Sequence, residues 1–345
     1  MKLKLSDFDY TVPKNLIALQ PTSTRDAARM LSIDGSVLKD SCVSELPKHL
    51  ESGDLIILNN TKVIPARLII PGKNVQIYLD KQLKDNKWLA FAKPGRKLKV
   101  NDEFNFGELQ LKVLEKKSDT KQILIEFKHE KNLLELLNKY GDAPLPPYIE
   151  KLHKPTTQDK ALYQSIFAKH EGSVAAPTAS LHFTKALMEN LRSKGVQIAF
   201  ITLHVGSGTF LPVSSENIEE HKMHEEYCEL SCETAALINK TKHAGKKILA
   251  VGSTSIRTLE ACAKETGHIH SFKGPIDFFI KPGYKFKLVD LLLTNFHLPK
   301  TTLLMLVAAL GGYKNIMHAY NHAIKNSYRF YSYGDCCLIK KNDDI

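Results

Sequence analysis

The chain alternates short apolar runs with polar, glycine-containing turns. Residues 196–205 read Val-Gln-Ile-Ala-Phe-Ile-Thr-Leu-His-Val, largely apolar or β-branched on both faces, and close on Gly206-Ser-Gly-Thr209. A short two-sided run of this kind suits a buried strand of a parallel sheet. The residues before it read as a helix, with Thr184 as N-cap and Gly195 as the stop after Arg192 and Lys194. The same unit recurs twice. A strand at 247–251 leads into Gly252-Ser-Thr-Ser-Ile-Arg257 and a helix to about 264; a strand at 288–294 leads into Asn295-Phe-His-Leu-Pro-Lys300 and a helix at 301–310. A strand at 55–58 is closed by Asn59-Asn60-Thr61, and a helix is expected at 158–169. Strand, polar turn and helix in repetition predict an α/β fold with a mostly parallel sheet.

The texture changes from about residue 67 to 145. Short alternating segments at 75–79, 88–92, 109–114 and 122–127 are split by Pro71-Gly72, Lys93-Pro-Gly-Arg96 and Asn105-Phe-Gly107. Such spacing predicts a small antiparallel β-barrel. The Pro144-Leu-Pro-Pro147 run is a stiff exit from it. The expected organisation is therefore a discontinuous α/β domain, 1–66 and 146–345, with an inserted barrel domain at 67–145.

Composition narrows the setting. With 345 residues, 43% of them apolar, the chain can bury an ample core. No run approaches the roughly 20 apolar residues of a membrane span, and no basic-then-apolar leader precedes Ser6-Asp-Phe-Asp9. A cytoplasmic protein without a membrane partner is expected. The six cysteines form no CxxC pair or regular framework, so reduced thiols are the default. The net charge of +11 is compatible with a polyanionic partner such as RNA. Most of it is lysine spread along the chain, so a lysine-rich composition without functional meaning competes with that reading.

Candidate chemistry gathers where the strands end, the edge at which open α/β sheets bind ligands. His204 and the Gly206-Ser-Gly-Thr209 turn follow one strand, Gly252-Ser-Thr-Ser255 a second, and Asn295, His297 and Lys300 a third. The Gly252 turn offers backbone N–H groups at a helix start, with Arg257 one turn in as a bidentate anion clamp; plain capping by Ser253 or Ser255 is the competing explanation. The Gly206 turn lacks the third glycine of a dinucleotide fingerprint and the GK[ST] of a phosphate loop. His221 and His224 are three apart without a third ligand or an HExxH pattern, so no metal is expected. GxSxG and Cys/His nucleophile signatures are also missing. Arg25, Asp26 and Arg29 read first as an ion-pair cluster. Tyr328-Arg-Phe-Tyr-Ser-Tyr-Gly-Asp335 is either core or a base-stacking surface.

Together these segments resemble a known family, the S-adenosylmethionine:tRNA ribosyltransferase-isomerases of queuosine biosynthesis. The resemblance is carried by Asp7-Phe-Asp-Tyr10, residues 53–68, Leu145-Pro-Pro-Tyr-Ile149, Gly172-Ser-Val-Ala-Ala-Pro-Thr178, Leu181-His-Phe-Thr184, Thr202-Leu-His-Val-Gly206, and residues 221–225, 252–260, 294–306 and 328–335. Each is weak alone; ten in order are specific. This chain departs from the family pattern at Ser180, Ser207 and Leu162. The resemblance implies transfer and isomerisation of the ribosyl part of S-adenosylmethionine onto 7-aminomethyl-7-deazaguanine (preQ1) at the tRNA wobble position, with methionine and adenine released. S-adenosylmethionine would then be a consumed substrate and no further cofactor is implied.

Sheet-edge position assigns the expected roles. His204 and His297, with ordinary pKa values of about 6.5, would transfer protons, assisted by His182. Arg257 with Ser253, Thr254 and Ser255 would hold the methionine carboxylate. Gly206, Gly208 and Thr209 would meet ribose or adenine, and Thr178, Asn295, Lys300 and Asp335 would complete the pocket. The expected partners are preQ1-bearing tRNA and S-adenosylmethionine, with the protein a monomer. An S-adenosylmethionine-dependent tRNA methyltransferase and a non-catalytic tRNA-binding protein are the other two classes.

Overall fold

Side chains on the central strands point alternately into two cores, which is why their sequences are apolar on both faces. Leu55 and Ile57 join one core, Ile56 and Leu58 the other. The computed structural model describes residues 3–118, 120–153, 156, 158–206, 208, 213 and 215–343. Four parallel strands form the middle of a nine-stranded sheet, in the order Gln197–Leu203, Leu55–Asn59, Ile248–Val251 and Leu291–Asn295. Helix Lys185–Ser193 packs its Leu187, Met188 and Leu191 on one face. Helices Cys232–His243, Gly252–Cys262, Thr302–Gly311 and Tyr313–Lys325 supply the core of the other.

The sheet as a whole is mixed, which corrects the expectation of a mostly parallel one. Glu226–Leu230 and Phe272–Ile276 add antiparallel beyond Gln197–Leu203. On the opposite side Cys336–Lys340 pairs antiparallel with Leu291–Asn295 and parallel with Arg29–Asp34, and Val37–Cys42 closes that edge as a hairpin. These outer strands come from distant parts of the chain, so local pattern does not announce their pairing.

The segment read as a barrel is a six-stranded antiparallel, barrel-like sheet. Its order is Arg67–Ile70, Val75–Gln82, Lys87–Lys93, Ile123–Lys128, Gln110–Lys116 and Glu103–Asn105. It has its own apolar core, from Ile64 through Trp88 and Phe127 to Leu137, joined by Val174.

Two local expectations are sharpened. Thr184 caps its helix as predicted, accepting from the Leu187 N–H at 3.1 Å. The helix expected at 158–169 is a single turn, Asp159–Leu162. Arg25 Nη1 and Nη2 take the Gln164 and Leu162 carbonyls at 2.8 and 3.2 Å, while the Gln164 amide pairs with both backbone groups of Val63. Those bonds engage the groups a continuing helix would need. Arg25 is thus structural, as is Arg29, which pairs with Asp40 and stacks 3.7 Å from the Tyr328 ring centre. Among the described residues no helix is long and apolar enough to cross a membrane.

Candidate functional site

A cavity of about 480 Å³ opens at the carboxyl ends of the central strands. Val205 lines it beyond one strand, Gly252, Ser253 and Thr254 beyond a second, and Thr294 to Lys300 beyond a third. The Ala175–Ala179 loop and Tyr148, Lys151, Tyr163 and Tyr331 complete the walls. The volume lies in the usual range for small-molecule sites, roughly 300–1,000 Å³. A larger groove of about 790 Å³ runs past Lys169, Thr202 and Lys273 and holds none of the predicted residues.

The 294–300 turn is held rigidly. The buried His297 donates its backbone N–H to the Tyr320 hydroxyl at 3.0 Å, and its carbonyl accepts from the Tyr10 hydroxyl. Its Nε2 lies 3.1 Å from Thr294 Oγ1. Lys300 adopts a left-handed φ of 56° and is anchored by a backbone bond to the Phe8 carbonyl at 2.9 Å and an ion pair with Asp9 at 2.6 Å. The Asp7-Phe-Asp-Tyr10 motif is therefore a brace for this turn.

Asn295 sits at the centre of a polar chain. Its Oδ1 accepts from Thr178 Oγ1 at 2.9 Å, and its Nδ2 donates to His182 Nε2 at 3.2 Å. Thr178 and Asn295 line the cavity, with His182 behind them. Burial pushes the His297 pKa down to about 3 and the His182 pKa down to about 4. Both imidazoles are neutral at physiological pH, which corrects the expectation of values near 6.5: removing a cation from water costs more than these surroundings return.

The start of helix Gly252–Cys262 faces the cavity without a side-chain cap. Its first-turn N–H groups are therefore open to an anion. Thr254 Oγ1, buried beside them, has no hydrogen-bond partner among the described residues. Ser253 lines the cavity, whereas Ser255 is fully buried behind it.

Several predicted residues are placed elsewhere. Arg257 is buried and ion-paired to Glu226, with Nε on the Phe278 carbonyl at 3.1 Å, and it does not reach the cavity wall. It is a strut between helix and strand and not the expected clamp. Asp335 is also a strut, accepting the Arg29 and Arg329 backbone N–H groups at 2.9 and 2.8 Å. His204 projects to the opposite side of its strand from Val205. There its Nδ1 lies 2.8 Å from Thr61 Oγ1, its ring is nearly parallel to Tyr227, and Gly172 approaches so closely that a Cβ would lie 3.0 Å from the imidazole. Burial lowers its pKa too. It shares no wall with His297, so the expected pair of proton-transfer histidines is not brought together.

Beyond His204, Gly206 lies beside the six-stranded sheet. Gly206 N–H donates to Glu226 at 3.2 Å, and a Cβ there would sit 3.5 Å from Asp80. Gly208 is packed against His224, where a Cβ would fall 2.7 Å from the ring. Thr209 and Ser207 lie outside the described residues. Ser180 is fully buried with its hydroxyl unpartnered among the described residues, and Leu162 lends its carbonyl to Arg25.

The aromatic wall was partly missed. Tyr148 and Tyr331 meet edge to face, 5.1 Å between ring centres, and the Tyr148 hydroxyl accepts the Ser332 N–H at 2.7 Å. Both tyrosines belong to quoted motifs. Nothing local distinguishes them from Tyr328 and Phe330, which are core.

Fold and cavity define an α/β protein that also carries a six-stranded antiparallel sheet, with a pocket at the carboxyl edge of its central strands. The model of the queuosine biosynthesis protein family matches residues 5–339. Proteins named S-adenosylmethionine:tRNA ribosyltransferase-isomerase from Rickettsia bellii and Clostridium kluyveri are each 46% identical; the alignments span 98% of this chain and 99% and 100% of theirs. A crystal structure of an S-adenosylmethionine tRNA ribosyltransferase from Thermotoga maritima aligns with a TM-score of 0.55 at 35% identity, over 96% of this chain and 99% of that one. The chain belongs to the queuosine biosynthesis protein family.

Proposed function

We infer that this chain is an S-adenosylmethionine:tRNA ribosyltransferase-isomerase. It transfers the ribosyl part of S-adenosylmethionine to preQ1 at the tRNA wobble position and forms epoxyqueuosine with release of methionine and adenine. The observation that carries this reading is the match to relatives of that name over 98% of the chain. The cavity gives it a physical setting.

In this reading S-adenosylmethionine fills the 480 Å³ cavity as a consumed substrate. Its methionine carboxylate meets the open N–H groups of helix Gly252–Cys262 and the unpartnered Thr254 hydroxyl, with Lys300 as a nearby cation. Arg257 stays with Glu226. The Tyr148–Tyr331 wall offers an apolar face to adenine.

The sulfonium acidifies the adjacent ribose carbon, so a base at that carbon can remove a proton, and the tRNA amine then attacks the activated sugar. Burial favours the neutral form of His297, which suits a role other than acid toward departing adenine. With its backbone fixed at both ends it acts as an acceptor or orienting group. His182 holds Asn295, and Asn295 and Thr178 present polar atoms to the substrate.

The cavity is complete within one chain, which suits a monomer, and a tRNA substrate suits the cytoplasm. Residues 67–145 are an inserted domain carried by 1–66 and 146–345. Incubation with S-adenosylmethionine and preQ1-bearing tRNA, followed by mass analysis of the tRNA nucleosides, tests the reading. Epoxyqueuosine with free adenine is expected; S-adenosylhomocysteine and a methylated nucleoside would make the chain a methyltransferase, and an unchanged tRNA that still binds would make it a binder.

A further inference from the structure

Positive charge is not evenly spread. Residues 67–145 carry sixteen Lys or Arg against eleven Asp or Glu, so five of the eleven net charges fall in under a quarter of the chain. Within them, segments 93–99 and 116–121 hold seven Lys or Arg and one acid, Asp119, which lies outside the described residues. The two segments are tied together, because Lys116 Nζ donates to the Gly95 and Leu98 carbonyls at 3.2 and 3.0 Å. Lys93, Arg96, Lys97, Lys99 and Lys121 are exposed. Other lysines of this sheet, Lys73, Lys112, Lys131 and Lys139, are neutralised by Asp102, Glu103 and Glu108. The first five form no such ion pair among the described residues.

This basic rim leads to the main cavity. Gly95, Lys117 and Lys121 line a hollow of about 310 Å³ that shares Ala92 with a second cavity of about 230 Å³, walled by Tyr78, Phe91, Lys93 and Glu150. The second shares Pro147 with the 480 Å³ cavity, whose walls add Lys151. Basic and aromatic side chains thus line three neighbouring hollows that adjoin at Ala92 and at Pro147. That combination grips single-stranded RNA, with lysine and arginine on phosphates and rings stacked on unstacked bases.

We propose that this row of cavities is the path of the tRNA anticodon arm. The rim of Arg96, Lys97, Lys99 and Lys121 holds the phosphate backbone, the Tyr78–Phe91 cavity takes an unstacked nucleotide, and the wobble base reaches the S-adenosylmethionine pocket beyond Pro147. The proposal rests on the tRNA reading above. Its test is direct binding, so that it stands or falls separately from turnover.

A fluorescent anticodon-arm RNA hairpin is titrated with the intact protein, with Arg96→Glu/Lys97→Glu/Lys121→Glu, and with an equally charge-reversed control, Lys240→Glu/Lys264→Glu/Lys314→Glu. All six positions are exposed. The rim variant should bind on the order of 10² more weakly, and its log K against log salt slope should be shallower by about 2 to 3, the share of three phosphate contacts. The control should change by less than about 5-fold, the general effect of lower net charge. Equal losses in both variants would reduce the rim to net charge alone and overturn the proposal, as would a rim variant that binds normally or an intact protein that does not bind. Phe91→Ala, which leaves the charge intact, should weaken binding by about 10-fold without altering the salt slope; an unchanged affinity would remove the second cavity from the path. Adenine release measured alongside reports on the catalytic reading, and its absence with rim-dependent binding would sink that reading alone.

Discussion

Arg257 shows how much a single side chain's partner decides. Its guanidinium is paired with Glu226 in a buried setting, so Arg257→Ala removes the ion-pair partner of a buried carboxylate and should cost about 3–5 kcal/mol of stability. Replacing both members, Arg257→Met with Glu226→Leu, should restore most of that loss in chemical denaturation. A clamp for the methionine carboxylate would behave otherwise, weakening S-adenosylmethionine binding with little change in stability. Asn295 is the opposite case, a pocket residue whose amide is fixed from both sides. Asn295→Ala should lower kcat/KM by about 10² while the denaturation midpoint moves little, since one hydrogen-bonded chain contributes about 1–2 kcal/mol. The histidines make a pH prediction. Folding lowers the pKa of His297 to about 3 and of His182 to about 4 from the unfolded value of about 6.5. The unfolded chain then binds more protons below pH 6.5, so the cost is absent above that pH and grows as pH falls, by about 1.4 kcal/mol per unit for each group. The limb should end near pH 4 for His182 and near pH 3 for His297. His182→Gln should flatten the slope between pH 6 and 4; an unchanged slope would show that the imidazole is not held neutral.

At the scale of elements, the N-terminus of helix Gly252–Cys262 carries the binding prediction. Thr254→Val keeps shape but removes the unpartnered hydroxyl, and should weaken S-adenosylmethionine about 10-fold by calorimetry. An analogue lacking the methionine carboxylate should bind wild type and variant alike; equal losses for both ligands would place the carboxylate elsewhere. The elements also show where sequence reading succeeds. The strands Leu55–Asn59, Gln197–Leu203, Ile248–Val251 and Leu291–Asn295 were legible because each is buried on both faces and ends at a polar turn. Glu226–Leu230, Phe272–Ile276 and Cys336–Lys340 were not, since their pairing is decided by partners far along the chain. The same limit governs the site. Asn295, His297, Lys300 and Gly252 to Thr254 were readable as residues beyond strand ends and line the cavity, as does Thr178 of a quoted motif. His204 follows a strand, Arg257 lies in the second turn of a helix and Asp335 precedes a strand, but the direction of a side chain depends on burial and pairing that a motif does not encode. Tyr148 needed the insertion's exit segment to fold back against Tyr331, a contact between residues distant in sequence.

For the whole molecule, a two-cored sheet fixes three strand ends around one cavity, and the six-stranded antiparallel sheet contributes walls to a second cavity that shares Pro147 with the first. Such a division would let one part hold RNA while the other holds the sugar donor. The most direct test follows adenine released from S-adenosylmethionine by chromatography, for wild type and Asn295→Ala, with preQ1-bearing tRNA and with tRNA lacking that base. Adenine is expected only with the modified tRNA, and Asn295→Ala should release it about 10² more slowly than the wild type. Adenine formed as fast by Asn295→Ala, or released without regard to the modified base, would contradict the assignment of ribosyl transfer to this cavity.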